Sequence, residues 1–391
     1  MAGRARRELT ASMRTAAVGL YVHVPFCAAI CDYCNFSREL RQPDLESRYL
    51  DAVVREVAHS VPARAARPAD TVLFGGGTPS LLEPDGVRRI LDACRDAFGL
   101  DREAEITLEA NPESVDRTRL EGYRQAGVNR LSLGVQSFRD EELRRLGRIH
   151  DQRRARQAVA DARAAGFSNV SLDLMMWLPG QSVEQWMASV AALIEEQPEH
   201  ASLYMLELYP NAPLREAMAR ENWSSAPDDD AAEMYEQAMA LLDTAGYRQY
   251  EISNVARPGR ECRHNLKYWT DGEWIGFGPG AHSTVSHVRW KNVSGVADYV
   301  ARVESGSEIR TDVRALTGLE ACQEALITGL RLAAGVDEHL FSVNYGLDLW
   351  GRYGHHLQPY LDAGFLERDE RGLRLTRRGM LLANEILAVF I

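Results

Sequence analysis

The chain has 391 residues, of which 45% are hydrophobic and 26% are charged, and its formal net charge is −11. This length allows a sizeable core and more than one domain. The acidic balance disfavours non-specific binding to nucleic acid, so we expect no nucleic-acid partner. No apolar run reaches the roughly 18 residues of a membrane-spanning helix, which leaves only peripheral contact with a membrane.

The N-terminal residues 1–17 are rich in arginine and lack the apolar segment of a secretory signal. We predict a flexible basic tail there; an organellar transit peptide is the alternative. Six cysteines in a chain of this length, three of them clustered, do not resemble a disulfide framework. A reducing, cytoplasmic location is therefore expected.

Short apolar runs alternate with amphipathic segments over the first half of the chain. Between two runs, Leu50, Val53, Val54 and Val57 recur with helical spacing, and residues 141–165 are also predicted to form one helix. This alternation predicts an α/β fold, a partial (β/α)6 TIM-like barrel over residues 18–245. The runs cover residues 20–26, 71–77, 105–111, 130–138, 169–175 and 201–210.

The pattern changes beyond the predicted barrel. Residues 246–312 are rich in glycine and aromatics, which predicts a small α+β region. Residues 313–391 return to helical spacing and include GFLERDERGLRLTRRG, which predicts a hairpin within a winged-helix-like domain. Charge in that segment is of mixed sign, so we do not assign it to DNA binding.

Three cysteines lie within eight positions of the stretch YVHVPFCAAICDYCNF, at Cys27, Cys31 and Cys34. Structural zinc takes four ligands, and the other cysteines are scattered; His23 is the nearest candidate for a fourth. Cysteine thiolates also hold [4Fe–4S] clusters, and three thiolates leave one iron open. We favour the cluster. The remaining cysteines are predicted to be core residues: Cys94, Cys262 and Cys322.

Polar residues follow or close several of the predicted strands. They are Gly75–Pro79, Glu109, Gln136 and Asp173. A turn or a helix cap explains any one of them equally well. Together they fall on the face where a barrel of this kind builds its active site.

The spacing C-x3-C-x2-C after a first strand resembles the radical S-adenosylmethionine superfamily. In that superfamily the open iron binds S-adenosylmethionine, and one electron cleaves it to methionine and a 5′-deoxyadenosyl radical. The resemblance implies that Cys27, Cys31 and Cys34 hold the cluster and that Tyr33 packs against adenine. It also implies that Gly75–Pro79 meets the cofactor's amino group, where glycine permits close backbone approach.

Further motifs resemble the coproporphyrinogen dehydrogenase (HemN/HemW) family. They include FGGGTPS, LEANPE, LGVQSF, LGRIH and GPGAHS, and the similarity extends from about Leu20 to the C-terminus. By motif, the positions that contact S-adenosylmethionine in this family match Tyr21, Tyr33, Gly77, Thr78, Glu109, Gln136, Arg148 and Asp173.

Two features distinguish branches of that family. The oxidase branch carries a further cysteine two residues after the third, where this chain has Phe36. The stretch RHNLKYW resembles the H-N-x-x-Y-W motif of the heme-handling branch, and it implies heme binding by His264, Tyr268 and Trp269. A neutral imidazole is a common ligand of heme iron, and in a helix His264 and Tyr268 share a face. The alternative is a core histidine among structural aromatics.

The GPGAHS region adds two further candidate heme ligands, His282 and His287. Gly276–Gly280 lacks the spacing of a dinucleotide fingerprint, and we predict a tight loop near the cofactor.

The resemblance implies a cytoplasmic heme chaperone, monomeric or dimeric, with a [4Fe–4S] cluster, S-adenosylmethionine and heme as cofactors. Its expected partners are heme-acceptor proteins and an electron donor, and whether radical chemistry is retained stays open. One alternative is an oxygen-independent coproporphyrinogen III oxidase, which Phe36 disfavours. Another is a radical methyltransferase or cyclopropanase, which RHNLKYW disfavours.

Overall fold

The computed structural model describes residues 17–60, 68–210, 212–221, 223–224 and 227–391. Apart from Ala17, the predicted basic tail lies outside the described residues. The first part of the chain contains β1 (Val18–Val24), β2 (Phe26–Cys27), β3 (Glu39–Leu40), α1 (Pro43–His59), β4 (Ala69–Gly76), α2 (Pro84–Phe98), β5 (Leu100–Ala110), α3 (Arg117–Ala126), β6 (Arg130–Gln136), α4 (Asp140–Arg145), α5 (Gln152–Ala164), β7 (Val170–Met176), α6 (Val183–Glu195) and β8 (His200–Met205).

The second part begins after β8 and is richer in short elements. It contains α7 (Pro213–Glu221), α8 (Asp228–Thr244), β9 (Arg248–Gln249), β10 (Asn254–Ala256), α9 (Arg263–Trp269), β11 (Trp274–Phe277), β12 (His282–Val285), β13 (Val288–Asn292), α10 (Val296–Ser305), β14 (Arg310–Ala315), α11 (Gly318–Gly329), α12 (Glu338–Tyr345), α13 (Leu349–Asp362), β15 (Leu366–Asp369), β16 (Gly372–Leu375), α14 (Arg377–Leu381) and α15 (Ala383–Leu387).

Six parallel strands, β1 and β4 to β8, form the centre of a 12-stranded sheet, and helices connect them in sequence. This arrangement confirms the predicted partial (β/α)6 barrel. Along β1, Leu20, Val22 and Val24 are fully buried in the core. The alternate positions Tyr21 and His23 form the opposite face of the strand, so they point into the barrel.

Helix α2 illustrates why these helices form where they do. Pro84 occupies its first turn, and Gly99 ends it in the left-handed conformation with φ of 63°. Val87, Ile90, Leu91 and other residues at helical spacing form its buried stripe.

The single helix that we expected over 141–165 is instead two, α4 and α5, because Gly147 breaks the pattern at φ 69° and Asp151 caps α5. The strand expected over 201–210 ends at Met205.

The residues after the barrel extend it on both sides. Strand β11 pairs in parallel with β1, and β12, β13 and β14 follow as antiparallel neighbours. The C-terminal part comprises the helices α11 to α15 with the hairpin β15–β16, as the sequence predicted. None of the described helices is long and apolar enough to cross a membrane.

Candidate cluster and cofactor site

The loop that carries the three clustered cysteines is folded by its own backbone. Cys27 ends β2, and the N–H of Arg41 donates to its carbonyl oxygen at 3.0 Å. The N–H of Cys34 donates to the carbonyl oxygen of Cys31 at 3.2 Å. The Arg38 guanidinium donates to the carbonyl oxygens of Phe36 and Cys34. All three thiols therefore lie on one cavity of about 380 Å³.

His23 lies beneath this loop and hydrogen-bonds to its backbone. Its ring nitrogens lie 2.8 Å from the carbonyl oxygen of Ser37 and 3.1 Å from the Tyr21 hydroxyl. Burial lowers the pKa of His23, so the ring is neutral and donates to Ser37. Both nitrogens are engaged, so His23 does not serve as a fourth zinc ligand. The tight loop expected over Gly276–Gly280 starts later, because Gly276 and Phe277 belong to β11. The turn over residues 278–280 packs here: Gly278 has φ of 92°, and a Cβ on it would lie 2.6 Å from the His23 carbonyl oxygen.

The surroundings of the three thiols fit a cluster better than a single ion. The Thr78 hydroxyl donates to the sulfur of Cys27, and Arg148 donates to the sulfur of Cys31, both at 3.6 Å. Burial raises the pKa of Cys27 and of Cys34. In the described part of the chain, no three Cys, His, Asp or Glu side chains converge as a single metal ion requires. A four-iron cluster takes each thiolate on a different iron and needs no such convergence.

Two partly buried carboxyls form the floor of the cavity. Asp173 accepts hydrogen bonds from Ser132 at 3.2 Å and Ser171 at 3.4 Å, and Glu109 accepts one from the Gly76 N–H at 3.3 Å. Burial, followed by the charge of Asp173, raises the pKa of Glu109 to about 7. Burial also raises the pKa of Asp173. These carboxyls can accept hydrogen bonds from hydroxyl or ammonium groups of a ligand.

The opposite wall presents polar atoms without a partner. Arg148 donates to the Asn111 side chain and to the Gly134 carbonyl oxygen, both at 2.7 Å. Its Nε and the Oε1 of Gln136 are buried without a hydrogen-bond partner among the described residues. Gln136 also holds a positive φ of 67°, a strained backbone for a non-glycine residue. Orphaned polar atoms beside a cavity are expected where a ligand completes the hydrogen bonding.

Glycines leave no room for a Cβ at several positions of the cavity wall, so the backbone itself can approach a ligand. A Cβ at Gly77 would lie 2.7 Å from the carbonyl oxygen of Phe26, and one at Gly75 would lie 2.9 Å from the Tyr21 ring. A Cβ at Gly134 would lie 3.0 Å from Gln136. With the orphaned Arg148 and Gln136 atoms and three thiols, this wall fits a [4Fe–4S] cluster together with a small zwitterion.

Of the eight residues predicted to contact S-adenosylmethionine, seven line this cavity. They are Tyr33, Gly77, Thr78, Glu109, Gln136, Arg148 and Asp173. Tyr21 does not line the cavity; its ring lies beneath it and packs against Gly75 on β4. Several lining residues were not predicted, and two of them carried a signal, because Asn111 and Gly134 stand within the quoted motifs LEANPE and LGVQSF. The unpredicted lining residues include Arg38, Asn111, Ser132, Gly134, Tyr204 and Met205.

The RHNLKYW stretch forms α9, which lies at the other end of the barrel. His264 is fully buried, and its ring nitrogens lie 2.8 Å from the Thr71 hydroxyl and 2.9 Å from the Tyr268 hydroxyl. Thr71 pairs in register with Gly19, near the amino ends of β4 and β1, and with Glu105 of β5. Burial lowers the pKa of His264 to about 3. The predicted shared face of His264 and Tyr268 exists, and it points into the barrel.

The remaining predicted heme residues are spread over the same region. Trp269 packs edge-on against Tyr268 and lies under the guanidinium of Arg331 at 4.5 Å. His282 is exposed on β12, and His287 is exposed in the turn that follows. None of these side chains lines the cluster cavity.

Comparison with known proteins defines the class to which this fold and site belong. The sequence model of the radical SAM superfamily matches residues 21–193, and that of the HemN C-terminal domain matches residues 316–382. Coproporphyrinogen III oxidase (HemN) from Escherichia coli superposes with a TM-score of 0.84 over 98% of this chain and 92% of that chain, at 24% identity. The chain belongs to the radical SAM superfamily, whose cofactors are a [4Fe–4S] cluster and S-adenosylmethionine.

Relatives that match most of this chain narrow this class further. The heme chaperone HemW of Bacillus subtilis is 35% identical over 95% of this chain and 98% of its own length. HemW of Escherichia coli is 41% identical over 69% of this chain and 70% of its own length. A mouse mitochondrial radical S-adenosyl methionine domain-containing protein 1 is 38% identical over 98% of this chain and 88% of its own. Within the superfamily, the chain belongs to the HemW family.

Proposed function

We propose that this protein is a cytoplasmic heme chaperone, which binds heme and passes it to acceptor proteins. The observation that carries the proposal is the 35% identity, over almost the whole of both chains, to a heme chaperone. Phe36 supports it, since the oxidase branch is expected to have a cysteine there. The protein is proposed to act as a monomer or dimer with a separate electron donor.

In this proposal the cavity holds the cluster and its capping ligand. Cys27, Cys31 and Cys34 each supply a thiolate to the cluster, which when bound can donate single electrons. Tyr33 packs against adenine. The buried carboxyls accept hydrogen bonds from hydroxyl or ammonium groups.

The opposite wall binds the carboxylate end of the same ligand. Arg148 pairs with the carboxylate through its unpartnered Nε, because a guanidinium and a carboxylate form a strong charge-assisted bond. Gln136 contributes its orphaned Oε1. Gly77 and Thr78 bring backbone close to the ligand, where any larger residue would displace it.

Heme binding by His264, Tyr268 and Trp269 stays a prediction from the sequence motif. Both nitrogens of His264 are hydrogen-bonded and its side chain is fully buried. Ligation of iron by His264 therefore requires α9 to leave its place in the barrel. That movement also breaks the Lys267–Asp70 ion pair, at 2.7 Å, and the two N–H bonds that Glu105 accepts from Arg263 and His264 at 3.1 Å.

Anaerobic heme titration and transfer test this function. We expect the reconstituted protein to bind heme saturably, with a shifted Soret band. It should then transfer heme to apomyoglobin faster than apomyoglobin takes up free heme from buffer. Incubation of the same sample with coproporphyrinogen III and S-adenosylmethionine tests the oxidase alternative. Protoporphyrinogen formation without heme binding would replace the proposal by that alternative.

A further inference from the structure

Large apolar side chains are exposed around the mouth of the cluster cavity. Four of its lining residues, Phe36, Tyr204, Met205 and Tyr209, are exposed by 64%, 42%, 42% and 38% respectively. We call these four residues the apolar rim. Exposed apolar groups that lie singly on a surface need no explanation, whereas a contiguous group around a cavity indicates a binding surface.

The apolar rim is built from two segments that are distant in sequence. Phe36 follows the last cysteine of the cluster loop; Tyr204 and Met205 end β8, and Tyr209 lies in the segment after it. One hydrogen bond ties the cluster loop to the helix that follows the second segment: Leu214, on α7, donates its N–H to the carbonyl oxygen of Asp32 at 2.9 Å. The side chains of Tyr209 and Asn35 also lie close together. The rim is therefore part of the folded site.

We infer that heme docks on the apolar rim, with the Met205 thioether as a ligand of its iron and the Phe36 ring against its macrocycle. This inference rests on the proposed function and names the site at which it acts. Thioether sulfur is an established axial ligand of heme iron, and aromatic rings stack on flat π-systems.

The chemistry of the rim favours this occupant over a peptide or a lipid. Met205 is the rim residue with a soft donor atom, and no hydrogen bond of the described residues engages its sulfur. The Tyr209 hydroxyl is already committed, because it donates to Glu207 at 2.6 Å. Arg38 borders the same cavity with a buried, unpartnered Nε, which suits a propionate carboxylate. Heme is flat, carries an iron and has two propionate carboxylates, so it can contact all of these groups at once.

Location gives a second reason. The rim surrounds the cavity that holds the three cysteines, so a macrocycle seated there covers the cofactor from the solvent side. His264 lies at the opposite end of the barrel, and its use requires a helix to move. The rim offers an iron ligand and an aromatic face without rearrangement.

The test compares rim variants with a His264 variant in anaerobic heme titrations of the reconstituted protein. Met205→Leu keeps the apolar volume and removes the sulfur, Phe36→Ala removes the aromatic face, and His264→Gln removes the imidazole. Met187→Leu, at a partly buried position on α6, is the matched control. Iron content and thermal melting show whether each variant retains its cluster and its fold.

We expect Met205→Leu to weaken heme binding at least about tenfold and to change the ferrous spectrum, since loss of an axial ligand alters the iron's spin state. Phe36→Ala should weaken binding about three- to tenfold, as the loss of one aromatic contact does. His264→Gln and Met187→Leu should bind heme with the wild-type spectrum.

The inference is overturned if both rim variants bind heme as wild type does while His264→Gln loses the Soret shift. In that outcome the proposed function stands and the site moves to α9. If the wild-type protein itself shows no saturable binding, the proposed function fails together with the inference.

Discussion

The two ends of the barrel differ in how their buried polar side chains are paired. At the carboxyl end, polar atoms of Arg148 and Gln136 are buried without partners, and three thiols line an open cavity. At the amino end, both nitrogens of His264 are satisfied by Thr71 and Tyr268. Unmet hydrogen-bonding capacity beside a cavity indicates a place for a ligand, whereas a fully paired side chain indicates a structural role. The contrast holds for His264 itself, since Trp269 on the same helix keeps a buried Nε1 without a partner among the described residues. A histidine within a heme-like motif is therefore not, by its identity alone, a ligand.

The largest effect is expected when the carboxyl end loses one of its thiols. Cys31→Ala removes a thiolate from a side chain that is only partly buried, so the fold should tolerate the change. We expect loss of most of the iron and of measurable S-adenosylmethionine binding, because two thiolates do not retain the cluster. Iron analysis and visible absorption after anaerobic reconstitution measure this. Cys322→Ala, at a buried cysteine away from the cavity, should keep both.

The next largest effect concerns the glycine wall. Gly77→Ala places a Cβ 2.7 Å from the carbonyl oxygen of Phe26, just before Cys27. Backbone must shift, which we expect to cost about 1–3 kcal/mol of unfolding free energy. S-adenosylmethionine affinity should fall at least about tenfold, the equivalent of 1.4 kcal/mol. Equilibrium dialysis measures the affinity. Gly318→Ala, where a Cβ meets nothing within 4 Å, is the control and should change neither quantity.

A smaller effect is expected from the titration of Glu109. Burial and the charge of Asp173 raise its pKa from 4.5 to about 7, so the carboxyl is protonated in acid and ionised above neutral pH. Wild-type affinity for S-adenosylmethionine should fall about tenfold from pH 8 to pH 6, as the hydrogen-bond acceptor becomes protonated. Glu109→Gln should bind weakly and without this pH dependence. A variant that keeps the wild-type pH profile would contradict the role of Glu109.

The same shift has the opposite consequence for stability. The folded protein holds the Glu109 proton between pH 4.5 and about 7, whereas the unfolded chain has released it. Without ligand, wild-type stability should therefore fall as the pH rises through this interval. Glu109→Gln should remove that part of the slope, which amounts to about 3 kcal/mol at most. Glu83→Gln on the surface should leave it unchanged.

The contrast between the two ends also separates what the sequence could predict from what it could not. The barrel strands and the cysteine loop follow from local pattern, and both are close to where we expected them, except that the last barrel strand ends at Met205. The break between α4 and α5 was missed, because the apolar spacing continues across it. It depends on Gly147, which packs against Asp32 of the cluster loop, more than a hundred residues earlier.

The position of His264 could not be predicted from local sequence patterns either, because it also depends on contacts between residues distant in the sequence. Helical spacing predicted that His264 and Tyr268 share a face, and their 2.9 Å contact agrees. That this face enters the barrel is decided by pairing with Thr71, 193 residues away in the sequence. The rim was missed because Phe36 and Met205 come together only when the strands are assembled.

The smallest effect on the carboxyl end is expected from a change at the amino end. His264→Ala leaves the hydroxyls of Thr71 and Tyr268 without their partner and should lower the unfolding free energy by about 2–4 kcal/mol. S-adenosylmethionine affinity and iron content should stay within about twofold of wild type, since the cavity is untouched. Loss of the cluster in a variant that remains folded would show that the two ends are coupled.

The pH dependence of that stability difference identifies the histidine as a neutral core residue. Burial lowers its pKa from 6.5 to about 3, so below pH 6.5 the unfolded chain takes up a proton that the folded chain refuses. The stabilisation is complete above pH 6.5 and is lost as the pH falls toward 3. Between pH 7 and pH 5, the gap between wild type and His264→Ala in anaerobic urea unfolding should narrow by about 2 kcal/mol. A constant gap would mean that His264 is accessible to protons, as an iron ligand at a surface must be.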